Sequence, residues 1–333
     1  MTVFMIGHNA HTSLECSYGR AFEAMGHVVT IYDVEAEMKR FTRLGRLGHF
    51  FNQYMTVDAW RQKLNRDLAL QLRASQPDIV LVFANARIIF STLAYVKSLL
   101  ACPFVLVWPD PLTSLQTHVL NAAILYDGVA TYCRASVPLF QRMGFPNPQW
   151  VPLAADTSLH GGEPTHNFLY DLTFVGAWRP ERERALATIT RHFPTCRIGI
   201  WGSNWQRSRE QQLRTYLHHK PLIGQAYATM FRQSRLNLNV IDDTCYPAAN
   251  MRFFEIPVAG GLQLVTACPE MVGTFRDQEH VLYAEDEDHL CLAIEQTLSH
   301  PEEAARIRKL GNELVHQGHT YVHRAAQLID LFL

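Results

Sequence analysis

Residues 236–266 have the sequence LNLNVIDDTCYPAANMRFFEIPVAGGLQLVT, which has the pattern of a complete βαβ unit. It opens with an apolar strand, Leu236–Val240, and closes with a second one, Gln263–Thr266. Between them a polar loop leads into a helical pattern over Asn250–Ala259, which two glycines end. A strand, a helix and a strand in this order predict a βαβ unit, in which the two strands are parallel.

The same alternation extends over the C-terminal half of the chain. Further strands are predicted at Leu172–Val175, Ile198–Trp201 and His280–Tyr283, and helices at Glu181–His192, Gln206–Leu217, Ala226–Ser234 and Asp288–Leu298. Because the strands are short apolar runs separated by helices, we expect a parallel sheet with helices on both faces.

The N-terminal half repeats this pattern. Its predicted strands are Val3–Ile6, Val28–Tyr32, Ile79–Phe83, Phe104–Trp108 and Leu125–Tyr132, and its predicted helices are Tyr18–Met25, Arg40–Ala74, Ile88–Leu100 and Ser136–Met143. Prolines and glycines gather between residues 146 and 164, which indicates a linker. We therefore predict an α/β protein with two Rossmann-like domains, residues 1–155 and 156–315. We expect a final helix, residues 316–333, to pack back on the first domain.

The composition excludes several classes of protein. Thirty basic residues against 31 acidic ones give a net charge of −1, without the basic excess typical of nucleic-acid binding. No apolar run approaches the roughly 18 residues of a membrane span, and the N-terminus does not resemble a signal peptide. The seven cysteines include no Cys-x-x-Cys pair, which fits reduced thiols. We expect a cytoplasmic protein that neither binds nucleic acid nor spans a membrane.

Several common catalytic motifs are missing. The chain has no G-x-G-x-x-G after its first strand, no P-loop, no G-x-S-x-G and no H-E-x-x-H. Their absence argues against dinucleotide oxidoreductases, P-loop ATPases, serine hydrolases and zinc proteases. Asp242 and Asp243 follow a strand and suggest a divalent cation, but a third oxygen ligand is missing, so we predict no metal site.

The helix that starts near Asn250 carries the first candidate site. Its first turn offers unpaired N–H groups and a positive dipole end, which suit a phosphate. Arg252 and Glu255 are three residues apart and share a face. A carboxylate can accept both hydroxyls of a ribose, and an arginine can pair with a diphosphate. A surface ion pair without any binding role explains the same spacing equally well.

A second cluster follows the first strand of the predicted C-terminal domain. Gly176 lies in the turn, and Arg179 and Arg182 lie at the start of the next helix. This is the edge of the sheet where ligands bind, so either arginine is placed to neutralise a diphosphate. A solvated, charged helix is the alternative interpretation. Gly202 and Gly224 end or follow later strands, and both suit the lining of a base pocket.

The run from Asn250 to Gly261 resembles the signature of group-1 glycosyltransferases, and in particular that of the spore-maturation (CgeB-type) branch. The resemblance rests on Arg252-Phe-Phe-Glu255, on the Ala-Gly-Gly end and on Thr266 after the next strand. Weaker similarities occur at Phe174-Val175-Gly176, Tyr126-Asp127, residues 151–156 and residues 301–324. The likeness is good over residues 171–332 and looser over the first half.

The resemblance implies a GT-B fold, in which two Rossmann-like, doubly wound parallel-sheet domains face a central cleft. In that family the C-terminal domain binds a nucleotide-sugar donor, and the N-terminal domain binds the acceptor. By the same resemblance Glu255 binds the donor ribose, Arg252 lies near its phosphates or sugar, and Arg179 or Arg182 contacts the diphosphate. Gly260 and Gly261 allow close packing of the backbone.

The resemblance also bears on cofactors and stereochemistry. GT-B enzymes generally need no catalytic metal, and the UDP-, GDP- or dTDP-linked sugar is a substrate rather than a cofactor. Many related retaining enzymes have a second glutamate eight residues before the ribose-binding one, and here that position is Pro247. This departure leaves both retention and inversion open.

The loop after the first strand contributes the candidate catalytic groups. His8 or His11 is placed to act as a general base toward an acceptor, because imidazole titrates near neutral pH. Asp110 ends another strand at the same edge and suits the orientation of an acceptor or a histidine. A capped polar loop and a turn-forming aspartate beside proline are the alternatives. The aromatic residues 41, 50, 51, 54 and 60 fit an acceptor site or a homodimer surface, and core packing explains them as well.

The sequence therefore predicts a metal-independent, hexosyltransferase-like enzyme that moves a sugar from a nucleoside diphosphate-sugar to a hydroxyl or amine acceptor. Two alternatives stay open. One is a nucleotide-sugar hydrolase or epimerase of the same fold, and the other is a non-catalytic protein that binds a sugar or nucleotide.

Overall fold

The structure, a computed structural model, describes residues 1–34, 36, 37, 47, 58–84, 86–220 and 222–333, with the side chains of residues 58–61 left aside. The chain divides into two compact units. The first consists of residues 1–152 and 321–333, and the second of residues 153–320. Each unit contains a six-stranded parallel sheet with flanking helices.

The sheet of the first unit has the strand order β2-β1-β3-β4-β5-β6. Its strands are β1 (Thr2–Gly7), β2 (Val28–Asp33), β3 (Ile79–Phe83), β4 (Phe104–Trp108), β5 (Gly128–Thr131) and β6 (Pro148–Trp150). Its described helices are α1 (Leu14–Ala24), α2 (Asp58–Ser75), α3 (Phe90–Leu99), α4 (Thr117–Asn121) and α5 (Val137–Arg142). Every residue of β3 and β4 is buried, as expected for apolar strands covered on both faces.

The sheet of the second unit has the order β12-β11-β10-β7-β8-β9. Its strands are β7 (Tyr170–Val175), β8 (Ile198–Trp201), β9 (Leu217–His218), β10 (Ser234–Asn239), β11 (Gln263–Thr266) and β12 (Leu282–Ala284). Its helices are α6 (Thr157–His160), α7 (Pro180–His192), α8 (Gln225–Arg232), α9 (Arg252–Val258), α10 (Glu287–Ser299) and α11 (Pro301–Gly318). In each sheet the first strand has neighbours on both sides, so the strand order reverses there.

The last helix, α12 (Tyr321–Phe332), belongs to the first unit. It packs against α1, where the rings of Tyr18 and Tyr321 lie 4.9 Å apart. The buried Arg324 donates from Nε to the carbonyl oxygen of Pro152 at 2.9 Å. A chain that has passed through the second unit thus returns to complete the first.

Most of the predicted strands are confirmed, and four of them, β3, β4, β8 and β11, have the predicted bounds. Helix α1 begins four residues earlier than predicted, at Leu14, because the side chain of Ser13 caps it by accepting from the backbone N–H of Cys16. Of the long helix predicted at Arg40–Ala74, the structure describes α2. The aromatic residues 41, 50, 51 and 54, together with the side chain of Trp60, lie outside the described residues.

One other prediction is wrong. The segment Gln206–Leu217 is not an α-helix but two short 3-10 turns followed by β9. The buried Glu183 accepts hydrogen bonds from the backbone N–H groups of Arg209 and Glu210, at 2.6 and 3.1 Å, and so stabilises a non-helical conformation.

The segment predicted as a linker, residues 146–164, includes the boundary between the two units, after Pro152. It also contains the sixth strand, β6, and α6. The proline of β6 is tolerated because this strand lies at a sheet edge.

None of the described helices combines the length and the apolarity that crossing a lipid bilayer requires.

Candidate functional site

Two glycines bring the ends of β7 and β8 together in the second unit. Gly202 has a φ of +146°, and a Cβ atom added to it would lie 1.8 Å from the carbonyl oxygen of Gly176. The backbone N–H of Gly176 in turn donates to the carbonyl oxygen of Trp201 at 2.8 Å. This close approach leaves no room for a side chain at residue 202. The carboxyl ends of the two strands therefore form a tight polar edge.

Three charged side chains meet at this edge. Arg182, on α7, is buried and donates from Nη1 to the carbonyl oxygen of Ala177 and from Nη2 to Oδ2 of Asp242, both at 2.9 Å. Arg179, which precedes α7, keeps half of its side chain exposed, and its Nε lies 3.9 Å from the same Oδ2. Asp242 follows β10, whereas both arginines follow β7. Their contacts therefore connect the ends of two neighbouring strands of the sheet.

The electrostatics of this cluster identify Asp242 as an anion among arginines. Burial by itself would raise the pKa of Asp242, but the hydroxyl of Thr244 and the guanidinium of Arg182 outweigh it and lower that pKa. Burial and the nearby Arg252 lower the pKa of Arg182. Among the described residues, no group of three His, Cys, Asp or Glu side chains is placed to hold a metal ion.

Glu255 is the second centre of the site. It is buried on α9, and its Oε2 accepts a hydrogen bond of 2.8 Å from the hydroxyl of Tyr227 on α8. Its Oε1 lies 3.8 Å from Nδ1 of His160, the last residue of α6. In the described structure no ion pair joins Arg252 to Glu255. The alternative interpretation, a surface ion pair between these two residues, therefore does not apply.

Three buried nitrogen atoms around these residues have no hydrogen-bond partner among the described residues: Nε of Arg182, Nε of Arg252 and Nδ1 of His160. Buried donors are nearly always paired in folded proteins, so an unpaired one requires an explanation, such as an ion or other ligand that binds there. Two of the three belong to guanidinium groups, so the site has spare donors for an anion.

The side chain of Asn250 is hydrogen-bonded within the second unit. It is buried and exchanges two hydrogen bonds with Asn239, at 2.8 and 3.0 Å. Its Oδ1 also accepts from the backbone N–H of Phe253 at 3.1 Å. These contacts occupy its side chain within the protein and fix the start of α9.

The other predicted glycines differ in their surroundings. A Cβ atom on Gly260, whose φ is +81°, would lie 2.6 Å from the backbone of Glu163, and one on Gly261 would lie 2.8 Å from Nδ2 of Asn237. Both glycines therefore allow close packing. Gly224 has a φ of +57° and faces open space just before α8.

The first unit has a pocket of about 490 Å³ at the carboxyl ends of β1, β3 and β4. His8, Glu15, Arg87 and Asp110 supply its polar lining. Burial raises the pKa of Asp110, and Arg87 makes no ion pair with any described residue. The pocket lies where the strand order reverses, the usual place for a ligand in an open α/β sheet.

The two candidate histidines differ in position. His8 lines the pocket, keeps half of its side chain exposed, and has its Nδ1 3.5 Å from Oδ2 of Asp33. His11 is exposed and is not part of the pocket lining; its carbonyl oxygen accepts from Arg20 at 3.0 Å. The structure thus brings His8 and Asp110, but not His11, to the same pocket.

The sequence did not point to the roles of six of these residues: Glu15, Asp33, Arg87, His160, Tyr227 and Asp242 as an arginine partner. Tyr227 and Glu255 are 28 residues apart, and Arg182 and Asp242 are 60 residues apart. No local pattern indicates such pairs. Asp33 directly follows one predicted strand and Arg87 follows another by four residues, and these positions are the one signal that the sequence offers for them.

Part of the chain matches a known protein family. Residues 179–330 match the glycosyl transferase-like family. This glycosyl transferase-like region contains Arg179, Arg182, Asp242, Arg252 and Glu255. No curated protein sequence is significantly similar to the chain.

Solved structures extend the likeness to the whole length. Sucrose-phosphate synthase from Thermosynechococcus elongatus has a TM-score of 0.66 at 11% identity, over 100% of this chain and 98% of that chain. The α,α-trehalose 6-phosphate synthase from Burkholderia multivorans has a TM-score of 0.62 at 13% identity, over 99% and 98%. Anabaena Alr3699/HepE in complex with UDP has a TM-score of 0.62 at 10% identity, over 99% of each chain. The chain therefore has the GT-B fold.

Proposed function

We propose that this protein is a glycosyltransferase that moves a sugar from a nucleoside diphosphate-sugar to a hydroxyl or amine acceptor, without a catalytic metal. The observation that carries the proposal is the juxtaposition of the arginine cluster with the buried Glu255 in a glycosyl transferase-like region. The solved structures of Anabaena Alr3699/HepE in complex with UDP and with UDP-glucose favour a UDP-linked donor.

The second unit would bind the donor. Three guanidinium groups, those of Arg179, Arg182 and Arg252, outnumber the two carboxylates of Asp242 and Glu255, so their cluster attracts a diphosphate. As the bond between sugar and phosphate breaks, negative charge grows on the leaving diphosphate, and fixed guanidinium groups stabilise it. Glu255 would accept hydrogen bonds from the ribose of the same nucleotide. Because these arginines would stabilise the charge of the diphosphate in place of a metal ion, we expect no catalytic metal.

The pocket of the first unit would bind the acceptor. His8 is placed to take the proton from an acceptor hydroxyl, and Asp33 beside its Nδ1 suits the imidazolium that results. Asp110 would orient the acceptor, and its raised pKa also suits a share in proton transfer. His11 stays the second candidate for the base.

We further propose that the protein belongs to the CgeB-type branch, transfers a hexosyl group, is cytoplasmic and forms a homodimer. In this proposal residues 156–315 bind the donor and residues 1–155 bind the acceptor. The final helix, residues 316–333, packs on the first domain. Gly202 and Gly224 stay candidates for the base pocket, and retention and inversion both stay open.

Replacement of Glu255 tests the donor assignment. Glu255→Ala removes the carboxylate that would hold the ribose, so we expect UDP affinity to fall about 100-fold in titration calorimetry, because hydrogen bonds to a charged group are lost. Glu295→Ala, on the exposed face of α10, is the control and should bind UDP as the wild type does. Affinities for UDP, GDP and dTDP that are unchanged in Glu255→Ala would contradict the assignment.

The alternative activities separate by product analysis. With UDP-glucose alone, a transferase gives at most slow hydrolysis, a hydrolase releases glucose rapidly, and an epimerase converts the sugar while it is linked to UDP. Nucleotide binding without turnover against a broad set of acceptors would instead identify a non-catalytic binding protein.

A further inference from the structure

The two oxygen atoms of the Glu255 carboxylate have different surroundings. Oε2 accepts a hydrogen bond of 2.8 Å from the Tyr227 hydroxyl. Oε1 has Nδ1 of His160 at 3.8 Å, which is beyond hydrogen-bond distance. The rings of His160 and Tyr227 also touch, with their centroids 5.4 Å apart in an edge-to-face arrangement. Two rings from two other helices thus flank one carboxylate.

Tyr227 donates to Glu255, and its phenol also interacts with the guanidinium of Arg252. Burial, and then the charge of Glu255, raise the pKa of its phenol well above the usual value, so the hydroxyl keeps its proton at physiological pH. Because a carboxylate accepts and the phenol donates, this hydrogen bond fixes the rotation of the carboxyl group. The oxygen that Tyr227 leaves open is Oε1.

His160 is placed to hold the other oxygen of the Glu255 carboxylate, Oε1. The residue is 8% exposed, and its Nδ1 is buried without a hydrogen-bond partner among the described residues. A small movement that shortens the 3.8 Å separation would pair this nitrogen with Oε1. Binding-site hydrogen bonds are often long in the absence of ligand and tighten once it binds.

We infer that Tyr227 and His160 are positioning residues that clamp Glu255, so that Oε1 meets a ribose hydroxyl of the bound nucleotide. This inference rests on the proposed function, since it takes a nucleoside diphosphate as the ligand. It assigns both residues to recognition of the ribose.

The test compares two ligands that differ only in the ribose hydroxyls, UDP and 2′,3′-dideoxy-UDP, by titration calorimetry. Wild-type protein should prefer UDP. In Tyr227→Phe, which removes one hydroxyl group, we expect UDP affinity to fall about tenfold, because a hydrogen bond to the charged carboxylate is lost. Affinity for the dideoxy nucleotide should stay within about twofold, since that ligand makes no use of Glu255. Tyr216→Phe, elsewhere in the second unit, is the matched control.

His160 variants provide the second arm. His160→Asn keeps a donor near the position of Nδ1 and should largely retain the preference for UDP. His160→Phe keeps a ring beside Tyr227 but has no donor, and should lose part of that preference. Thermal unfolding of each variant checks that the fold is intact.

The outcomes distinguish this inference from the proposal on which it rests. If Tyr227→Phe weakens both ligands equally, or neither, the clamp does not exist, although the transferase assignment stands. If the wild-type protein binds neither ligand, the donor assignment fails and the clamp fails with it. Equal behaviour of His160→Asn and His160→Phe would remove His160 from the clamp.

Discussion

At the scale of the residue, the site depends on backbone positions that only glycine can occupy. Gly202 combines a φ of +146° with a carbonyl oxygen 1.8 Å from the position of a Cβ atom. The oxygen belongs to Gly176, so a side chain at residue 202 would push the turn after β8 away from the turn after β7, which leads into Arg179 and Arg182. A single methyl group there should affect both folding and nucleotide binding.

Gly202→Ala should therefore lower the free energy of unfolding by about 2–4 kcal/mol, because the strained backbone and the overlap add together. Chemical denaturation measures this loss, and UDP affinity should fall with it. Gly273→Ala is the control in the same unit, since a Cβ atom there meets nothing within 4 Å. A difference below about 0.5 kcal/mol between the two variants would show that the turns adjust freely.

At the scale of the element, Glu183 shows how one side chain decides the conformation of a distant segment. Its Oε1 accepts from Ser208, Arg209 and Glu210, and its Oε2 accepts from Nε1 of Trp178 at 2.9 Å. Residues 206–217 have a helical pattern in the sequence. The hydrogen bonds to Glu183 nevertheless satisfy backbone N–H groups of this segment in a non-helical conformation.

Glu183→Gln should destabilise the protein by about 1–2 kcal/mol at pH 7, since its hydrogen bonds lose their charge. Burial would raise the pKa of Glu183, but the hydrogen bonds from Ser208, Glu210 and Trp178 lower it below its usual value. This contribution is therefore present above the usual glutamate pKa of about 4.3 and is lost as the pH falls through the lowered pKa.

Urea denaturation of both proteins between pH 7 and pH 3 measures this effect. The difference in stability should shrink on acidification, and a difference that is constant over this range would contradict the assignment. Glu181→Gln, in the first turn of the same helix, controls for the loss of a charge near its N-terminus.

At the scale of the whole molecule, the two units are proposed to have separate tasks. The pocket with His8 and Asp110 belongs to the first unit, and the cluster around Glu255 and Asp242 belongs to the second. A substitution in the pocket of the first unit should then leave nucleotide binding by the second unit unchanged.

Asp110→Asn should lower the transfer rate about 100-fold or more, as expected when a group that orients an acceptor or shares a proton is neutralised. UDP affinity should be unchanged, in contrast to Glu255→Ala. Steady-state kinetics with UDP-glucose and an acceptor that the wild-type protein uses measure the transfer rate. Titration calorimetry measures the affinity for UDP. A matching loss of UDP affinity in Asp110→Asn would contradict the division of tasks.

Local patterns in the sequence suffice to predict the alternation of strands and helices, the two α/β units and the edge at which polar residues gather. Such patterns, like the apolar runs of β3 and β4 and the helix-ending glycines after α9, depend on only a few neighbouring residues. The partners of the buried polar groups emerge only in the folded protein: Tyr227 for Glu255, Asp242 for Arg182, and Glu183 for the segment that is not a helix. Those pairs join residues 26 to 60 positions apart, and their free energy arises only when folding buries them together.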